Sequence, residues 1–280
     1  MHRTDEPLRL AVPKGRMYDG LAGLLAEAGI RLTSTARSYR PHASLDGVEV
    51  KILKPQNIVG MLEIGSRDAG FAGADWVAEL DGDLAEMLDT GLDPVRVVAA
   101  APRSLLIDGR LPERPLVVAS EYERLTRRWI ADRGLEARLL RTWGATEVFP
   151  PEDADLIVDN TATGATLESN GLVIVDELMA SSTRLYASGH AIDDPRRRQM
   201  LDDLVLLLRS VLEARTRVML EVNVAPDRLA AVLEALPCMR EPTVSTLAGD
   251  AGFAVKAAVP RAEVPRVVLD LKARGGTDVV

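Results

Sequence analysis

The chain has 280 residues, 47% hydrophobic and 27% charged, a balance that excludes a disordered or fibrous polypeptide and leaves room for two or three compact units. Forty-two acidic side chains oppose 34 basic ones, a net charge of -8. A general nucleic-acid binder would be basic, so an anionic ligand has to be held by local cations, backbone amides or a divalent ion. The single cysteine, Cys238, excludes a disulfide scaffold and a multi-cysteine metal centre. The charged opening MHRTDEPLRLAVPKGR lacks the apolar stretch of a signal peptide, and LVLLLRSVL at 204–212 is too short to cross a bilayer, so a cytoplasmic location is expected.

Leu8 to Val12 reads as a buried strand, broken by PKGR at 13–16. A helix follows, with Leu21, Leu24, Leu25 and Ala28 at helical spacing and Gly29 as its stop. Val48–Leu53 alternates as a strand, and Pro55 opens a helix that carries Ile58, Met61 and Leu62 on one face before Gly65. Asp68–Asp75 reads as a strand running into a glycine-rich turn. This alternation predicts an α/β unit with a largely parallel sheet.

A second unit begins near Val95, with strands predicted at 95–101, 115–120, 136–140 and 155–158 and a helix over 122–134. A strand at Val173–Val175 precedes a polar stretch, and a long helix runs over roughly Asp194–Arg215. No Pro- or Ser-rich linker separates the two lobes, which are expected to share a cleft. In the last third, Val218–Val224 reads as a strand, and Asp227 is placed as the cap of a helix bearing Leu229, Val232, Leu233 and Leu236. Strands at Thr243–Leu247 and Phe253–Val259 follow, then a helix with Pro265 in its first turn and a final strand at Thr277–Val280. The order β-α-β-β-α-β is that of a ferredoxin-like domain, with a boundary near Arg215. Such domains commonly serve assembly or ligand sensing.

The chain has no P-loop, no dinucleotide fingerprint and no hydrolase elbow. His2, His42 and His190 are isolated, and no basic residue precedes Cys238 to activate its thiol. The informative segment is DLIVDNTATGATLESNG at 155–171, an apolar strand ending in Asp159 and followed by small or hydroxyl-bearing residues at an apparent helix start. Thr161, Thr163 and Thr166 offer hydroxyls there, while Gly164 and Ala165 let backbone amides approach a phosphate. Asp159 is placed to accept hydrogen bonds from ribose hydroxyls. Read alone, a segment of this type is more often a threonine-capped turn without a ligand. Lys14 and Arg16 lie on a loop at the carboxyl side of the first strand, where a polyphosphate is expected, although two basic residues on a turn are, taken alone, more often a solvated face. Arg37, Arg40, Lys51 and Lys54 add charge to that lobe or form a solvated face. Glu147, Asp153 and Asp155 are candidates to hold magnesium, or they solvate a loop.

In order along the chain, LRLAVPKGRM, DAGFAGADW, DADLIVDNTATGATLESNGL, SSTRLYA, REPTVSTL and AVPRAEV through LKARGGTDVV resemble segments of the long-form ATP phosphoribosyltransferases. The third is similar to that family's phosphoribosyl-pyrophosphate loop, A-D-x-I-V-D-x-x-x-T-G-x-T-L-x-x-N-x-L. The resemblance implies transfer of phosphoribose from phosphoribosyl pyrophosphate to N1 of ATP, the step that opens histidine biosynthesis, with Mg2+ required and pyrophosphate released. It implies an α/β fold of two periplasmic-binding-protein-like lobes, 1–95 with 182–214 and 96–181, and a ferredoxin-like regulatory domain at 215–280 that binds histidine as a feedback inhibitor. It also implies a homo-oligomer, dimer to hexamer. The short form of the family lacks that tail and needs a partner subunit.

Carried onto this chain, the loop residues Asp159, Thr161, Ala162, Thr163, Gly164, Ala165, Thr166 and Leu167 take phosphoribosyl pyrophosphate. Lys14, Gly15, Arg16, Arg37, Asp75 and Glu147 take ATP, and Arg16, Arg37 and Asp159 are the catalytic set. Asp75 closes the rim or caps the next helix, and magnesium arrives mainly through substrate phosphates. Asn160 and Thr161 stand where members often have apolar residues, Thr246 where Pro is common and Phe253 where Trp is common. The rival readings are a solute-binding protein, a catalytically silent paralogue and a phosphoribosyltransferase acting on a nucleobase.

Overall fold

The computed structural model describes residues 6–33, 39–237 and 241–280. Residue contacts divide the chain into two compact units, Met1–Leu207 and Leu208–Val280. In the first unit, β1 (Leu8–Pro13) leads into α1 (Arg16–Glu27), whose Leu21, Leu24 and Leu25 form its buried stripe. Two short strands, β2 (Leu32–Thr33) and β3 (His42–Ala43), pair with each other. Then come β4 (Val48–Leu53), α2 (Pro55–Glu63) with proline in its first turn, β5 (Ala69–Gly73) and α3 (Ala74–Leu80). The expected glycine-rich turn after Asp68 is therefore only one peptide wide, because Ala74 already starts a helix.

The long strand β6 (Ala85–Pro102) precedes β7 (Leu116–Ser120), α4 (Glu123–Asp132), β8 (Ala137–Arg141), β9 (Leu156–Thr161) and α5 (Ala165–Ser169). A second long strand, β10 (Leu172–Ala187), returns to α6 (Gly189–Asp193) and α7 (Pro195–Thr216). The boundary between the two units falls inside α7.

Among the described residues an eight-stranded sheet runs in the order β4-β1-β5-β10-β6-β9-β7-β8. β1 is parallel to β4 and β5, and β7 is parallel to β8 and β9. β10 is antiparallel to both β5 and β6, and β6 is antiparallel to β9. The sheet is therefore mixed rather than largely parallel: two parallel sets are joined by an antiparallel pair that runs from one lobe to the other. The polar residues around 176–184 do not interrupt β10, because they pair with β6 from Leu172↔Pro102 to Ala187↔Ala85. Along β6 the pleat sends Val97, Ala99 and Ala101 to one core, with Trp129 and Tyr122, and Val98 and Ala100 to another, with Ile157 and Leu167.

Asp68 anchors the first lobe. Its fully buried carboxylate accepts the Arg9 backbone N–H at 2.7 Å and the Arg9 guanidinium at 2.7 and 3.1 Å. Burial pushes this carboxyl up, but the Arg9 hydrogen bonds and the charges of Arg9 and Arg197 outweigh burial and hold it below its ordinary value.

The second unit continues from α7 with β11 (Arg217–Val224), α8 (Leu229–Glu234), β12 (Thr243–Thr246), β13 (Phe253–Pro260), α9 (Val264–Ala273) and β14 (Gly276–Thr277). Among the described residues its sheet order is β12-β13-β11-β14, with every pair antiparallel, the ferredoxin-like arrangement. Its core is built from Val222, Val232, Val255, Val259, Val267 and Leu271. Asp227 does not cap α8: it sits within a 3-10 turn, Pro226–Arg228, and no side chain caps the helix that follows. Cys238 lies outside the described residues.

Gly70 sits where β5 passes under α2, and a Cβ there would lie 2.5 Å from Ile58 Cγ2 and 3.1 Å from Ala11 Cβ. Gly70→Ala is expected to cost about 1–3 kcal/mol through overpacking, read as a lower urea midpoint with an unchanged slope.

Candidate active site

β9 delivers Asp159 at its carboxyl end and then turns through Ala162 and Thr163 to Gly164, whose φ of +86° requires the left-handed region. The threonines hold this turn. Thr161 Oγ1 accepts the Gly164 N–H at 2.9 Å, and Thr163 Oγ1 accepts the Ala165 N–H at 3.3 Å. Each hydroxyl proton stays available to a ligand. The helix that follows has five residues, so the positive charge offered to a phosphate comes from first-turn amides, those of Thr166 and Leu167, rather than from a long helix dipole.

These residues form one wall of a cavity of about 500 Å³, which also contains Arg16, Glu121, Thr146, Glu147 and Asn160. Arg16 is the first residue of α1, set by Gly15 at φ +80°, and belongs to the other lobe. The cavity therefore brings together Arg16, Glu147 and the loop residues Asp159, Thr161, Ala162, Thr163, Ala165, Thr166 and Leu167, as the sequence led us to expect. Gly164 shapes the turn and faces a neighbouring cavity of about 410 Å³.

Burial pushes the Asp159 carboxyl up to about 6. The Asn160 N–H, 2.7 Å from Oδ1, and the Thr146 hydroxyl pull it down, while the neighbouring negative charges of Glu147 and Glu121 push it further up. The two polar departures from the family pattern both acquire partners: Thr161 holds the turn, and Asn160 Nδ2–H donates to Tyr122 Oη at 2.8 Å. They are part of the polar architecture and do not merely adjust packing.

Other candidates lie elsewhere. Lys14 is exposed on its loop and does not line the cavity. Arg37 and His2 lie outside the described residues. Asp75 is not on the rim: its buried carboxylate accepts the Ser181 hydroxyl at 2.7 Å and the Tyr122 hydroxyl at 2.6 Å. Nor does it cap α3, whose N-terminal cap position is Gly73. Asp155 is committed to structure, accepting the Val117 N–H and pairing with Arg114, both at 2.7 Å. Arg40 pairs with Glu49 at 3.4 Å.

Glu121 and Thr146 were not singled out from the sequence, and Asn160 was noted there as a departure from the family pattern rather than as a site residue. Glu121 follows the last residue of β7, so the rule that open α/β sheets bind ligands beyond the carboxyl ends of their strands could have found it. Among the described residues no group of three His, Cys, Asp or Glu side chains is arranged to hold a metal ion, and no helix is long and apolar enough to cross a membrane.

Gly144 and Ala145 precede the 3-10 turn that carries Glu147 and have φ of +82° and +45°. For alanine that region is strained. Ala145→Gly is expected to raise stability by about 0.5–1 kcal/mol, seen as a higher melting temperature, because glycine enters the region freely but loses more chain entropy on folding.

A sequence profile described as ATP phosphoribosyltransferase matches residues 54–210, and one described as HisG, C-terminal domain, matches 214–280. The ATP phosphoribosyltransferase of Prosthecochloris aestuarii (strain DSM 271 / SK 413) is 34% identical, over 100% of this chain and 97% of its own length. That of Pelotomaculum thermopropionicum is also 34% identical, over 98% of this chain and 96% of its own. Among solved structures, a chain of the ATP phosphoribosyl transferase (HisG:HisZ) complex from Thermotoga maritima aligns with a TM-score of 0.66 at 26% identity, covering 74% of this chain and 99% of that one. The chain belongs to the ATP phosphoribosyltransferase family, enzymes of pentosyl transfer.

Proposed function

We propose that the cavity binds phosphoribosyl pyrophosphate and ATP together and transfers the 5-phosphoribosyl group to N1 of the adenine, giving phosphoribosyl-ATP and pyrophosphate as the first step of histidine biosynthesis. The observation that carries this reading is the pairing of Asp159 and the threonine-glycine turn on one wall with Arg16 from the other lobe. A volume of about 500 Å³ lies in the range of small-molecule sites.

The 5'-phosphate sits on the Thr166 and Leu167 amides and the Thr163 and Thr166 hydroxyls. The Asp159 carboxylate accepts the ribose hydroxyls. As the bond from C1 to the pyrophosphate oxygen breaks, positive charge develops on the ribose ring close to Asp159, and negative charge builds on the leaving pyrophosphate, where Arg16 neutralises it. Adenine N1 brings a lone pair and no proton, so no base is needed at that atom. The protein's task is alignment of two anions. We propose Lys14 and Gly15, on the loop before Arg16, and Glu147 in the cavity wall as the ATP-facing set, together with Arg37, which lies outside the described residues.

Magnesium fits as a companion of the substrate. The carboxylates of Glu121, Glu147 and Asp159 line the cavity with the hard oxygens this ion prefers, but they do not make a protein cage. Bound to the pyrophosphate, the ion supplies charge neutralisation.

We assign residues 215–280 as the histidine-binding regulatory domain and expect a homo-oligomer working in the cytoplasm. The Thermotoga maritima chain, matched over 99% of its length, accounts for 74% of this chain, so this chain carries a further unit of its own.

An absorbance assay of the full chain with ATP, phosphoribosyl pyrophosphate, magnesium and a pyrophosphatase tests the reaction. A rise that histidine suppresses is expected. A rise indifferent to histidine would remove the regulatory assignment alone, and binding of both substrates without turnover would favour a silent paralogue.

Thr166→Val is expected to raise KM for phosphoribosyl pyrophosphate about tenfold and KM for ATP less than about twofold. Equal losses would count against the loop assignment.

Burial in the free protein favours the protonated Asp159, so the ionised acceptor that ribose requires predominates only above about pH 6. The kcat/KM for phosphoribosyl pyrophosphate should therefore fall about tenfold per pH unit below that value. Asp159→Asn should lose most of the activity together with this acidic limb.

A further inference from the structure

The Asp75 carboxylate is 4% exposed, lies outside the wall of the substrate cavity and pairs with no cation among the described residues. A buried carboxylate held only by neutral groups is costly to keep. Its donors are the Ser181 hydroxyl, 2.7 Å from Oδ1, and the Tyr122 hydroxyl, 2.6 Å from Oδ2. The Asp75 N–H donates back to Ser181 Oγ at 3.0 Å.

This arrangement sets the direction of the hydrogen bonds that follow. With its proton committed to Asp75, Tyr122 Oη can only accept, and it accepts from Asn160 Nδ2–H at 2.8 Å. The backbone N–H of that same Asn160 donates to Asp159 Oδ1 at 2.7 Å.

Tyr122 is also held independently. Its ring stacks on Trp76 with centroids 4.8 Å apart, and the Glu79 carboxylate accepts the Arg124 and Leu125 amides at 3.0 Å each, which ties α3 to the start of α4. A continuous polar chain thus runs from β10 through the start of α3 and the β7–α4 corner to the carboxyl end of β9.

We propose that Asp75 is a positioning residue: the relay Ser181–Asp75–Tyr122–Asn160 fixes the Asp159–Asn160 peptide and so aims the carboxylate that receives the ribose hydroxyls. The proposal rests on the phosphoribosyl reading of the cavity. It differs from a purely structural role in what it disturbs. Loosening the relay changes recognition of the ribose and leaves ATP recognition alone.

The test uses Ser181→Ala, at the end of the relay remote from the cavity, with Ser181→Thr restoring a hydroxyl and Tyr122→Phe removing one oxygen from the middle. Melting curves confirm that each variant is folded, and if Tyr122→Phe does not fold, the Ser181 pair decides. In Ser181→Ala and Tyr122→Phe, KM for phosphoribosyl pyrophosphate should rise about fivefold or more while KM for ATP stays within about twofold, and Ser181→Thr should return close to the wild type. Calorimetric titration with ribose 5-phosphate reads the same ribose recognition without turnover and should weaken by a similar factor. Folded variants that bind ribose 5-phosphate as tightly as the wild type overturn the relay, whatever the reaction proves to be. A wild-type chain that binds ribose 5-phosphate but does not couple it to ATP overturns the reaction, and the variants then still decide the relay. A wild type that does not bind ribose 5-phosphate overturns both.

Discussion

β10 is antiparallel to β5 and to β6, and β6 is antiparallel to β9, so the two parallel sets run in opposite directions, and the pair β6–β10 joins them into a single sheet with the carboxyl ends of both sets opening on one cavity. Nearly every group in the cavity follows from that constraint. Arg16 comes shortly after β1, Glu121 directly after β7, Gly144 to Glu147 after β8, and Asp159 to Thr163 from the end of β9. Loops leave the carboxyl ends of both parallel sets into the same cavity, so residues far apart in sequence meet in one cleft. The crossing strands set how the lobes face each other. Their own polar side chains are paired: Thr90 Oγ1–H donates to the Thr183 carbonyl at 2.5 Å, the Ser182 hydroxyl to Asp89 at 2.7 Å and the Thr183 hydroxyl to Asp93 at 3.1 Å.

The electrostatics of the site run against its cargo at first sight. An acidic chain presents Glu121, Glu147 and Asp159 around a cavity assigned to polyanions. The arrangement becomes coherent once charge is tracked through the proposed transfer. Carboxylates suit the ribose, whose ring turns positive as the pyrophosphate departs, whereas amides, hydroxyls and Arg16 suit the phosphates. The same crowding of acids contributes to the raised Asp159 titration, after burial itself.

The strands β1, β4, β7 and β9 and the helices α1, α2, α4 and α7 were legible because each carries an apolar run or a helical stripe with clear punctuation. The first half of β6 and the second half of β10 were not. They carry Asp89, Thr90 and Asp93 or Ser181, Ser182 and Thr183, polar residues that break the apolar pattern, and they are held as strands by pairing across about ninety residues of sequence, the second half of β10 also against β5. The turn after β9 was legible as a turn, since small and hydroxyl-bearing residues after an apolar strand signal close backbone approach. Asp75 was misplaced for the opposite reason. Its partners lie 47 and 106 residues away, and no local pattern announces a carboxylate that faces inward toward hydroxyls.

The departures from the family pattern in the second unit are absorbed by that unit's own packing. Thr246 ends β12, an edge strand, opposite Phe253 in β13. An edge strand can take a proline or a threonine at such a position, because one side of its backbone has no ladder partner to lose. Phe253 is partly buried and packs against the Val222–Val255–Leu271 core, where an indole would fill a larger share of the same space. Both residues therefore answer to the local core and sheet edge of Leu208–Val280, while Asn160 and Thr161 answer to the cavity by hydrogen bonding. The same kind of sequence departure is a matter of packing in one unit and of polar architecture in the other.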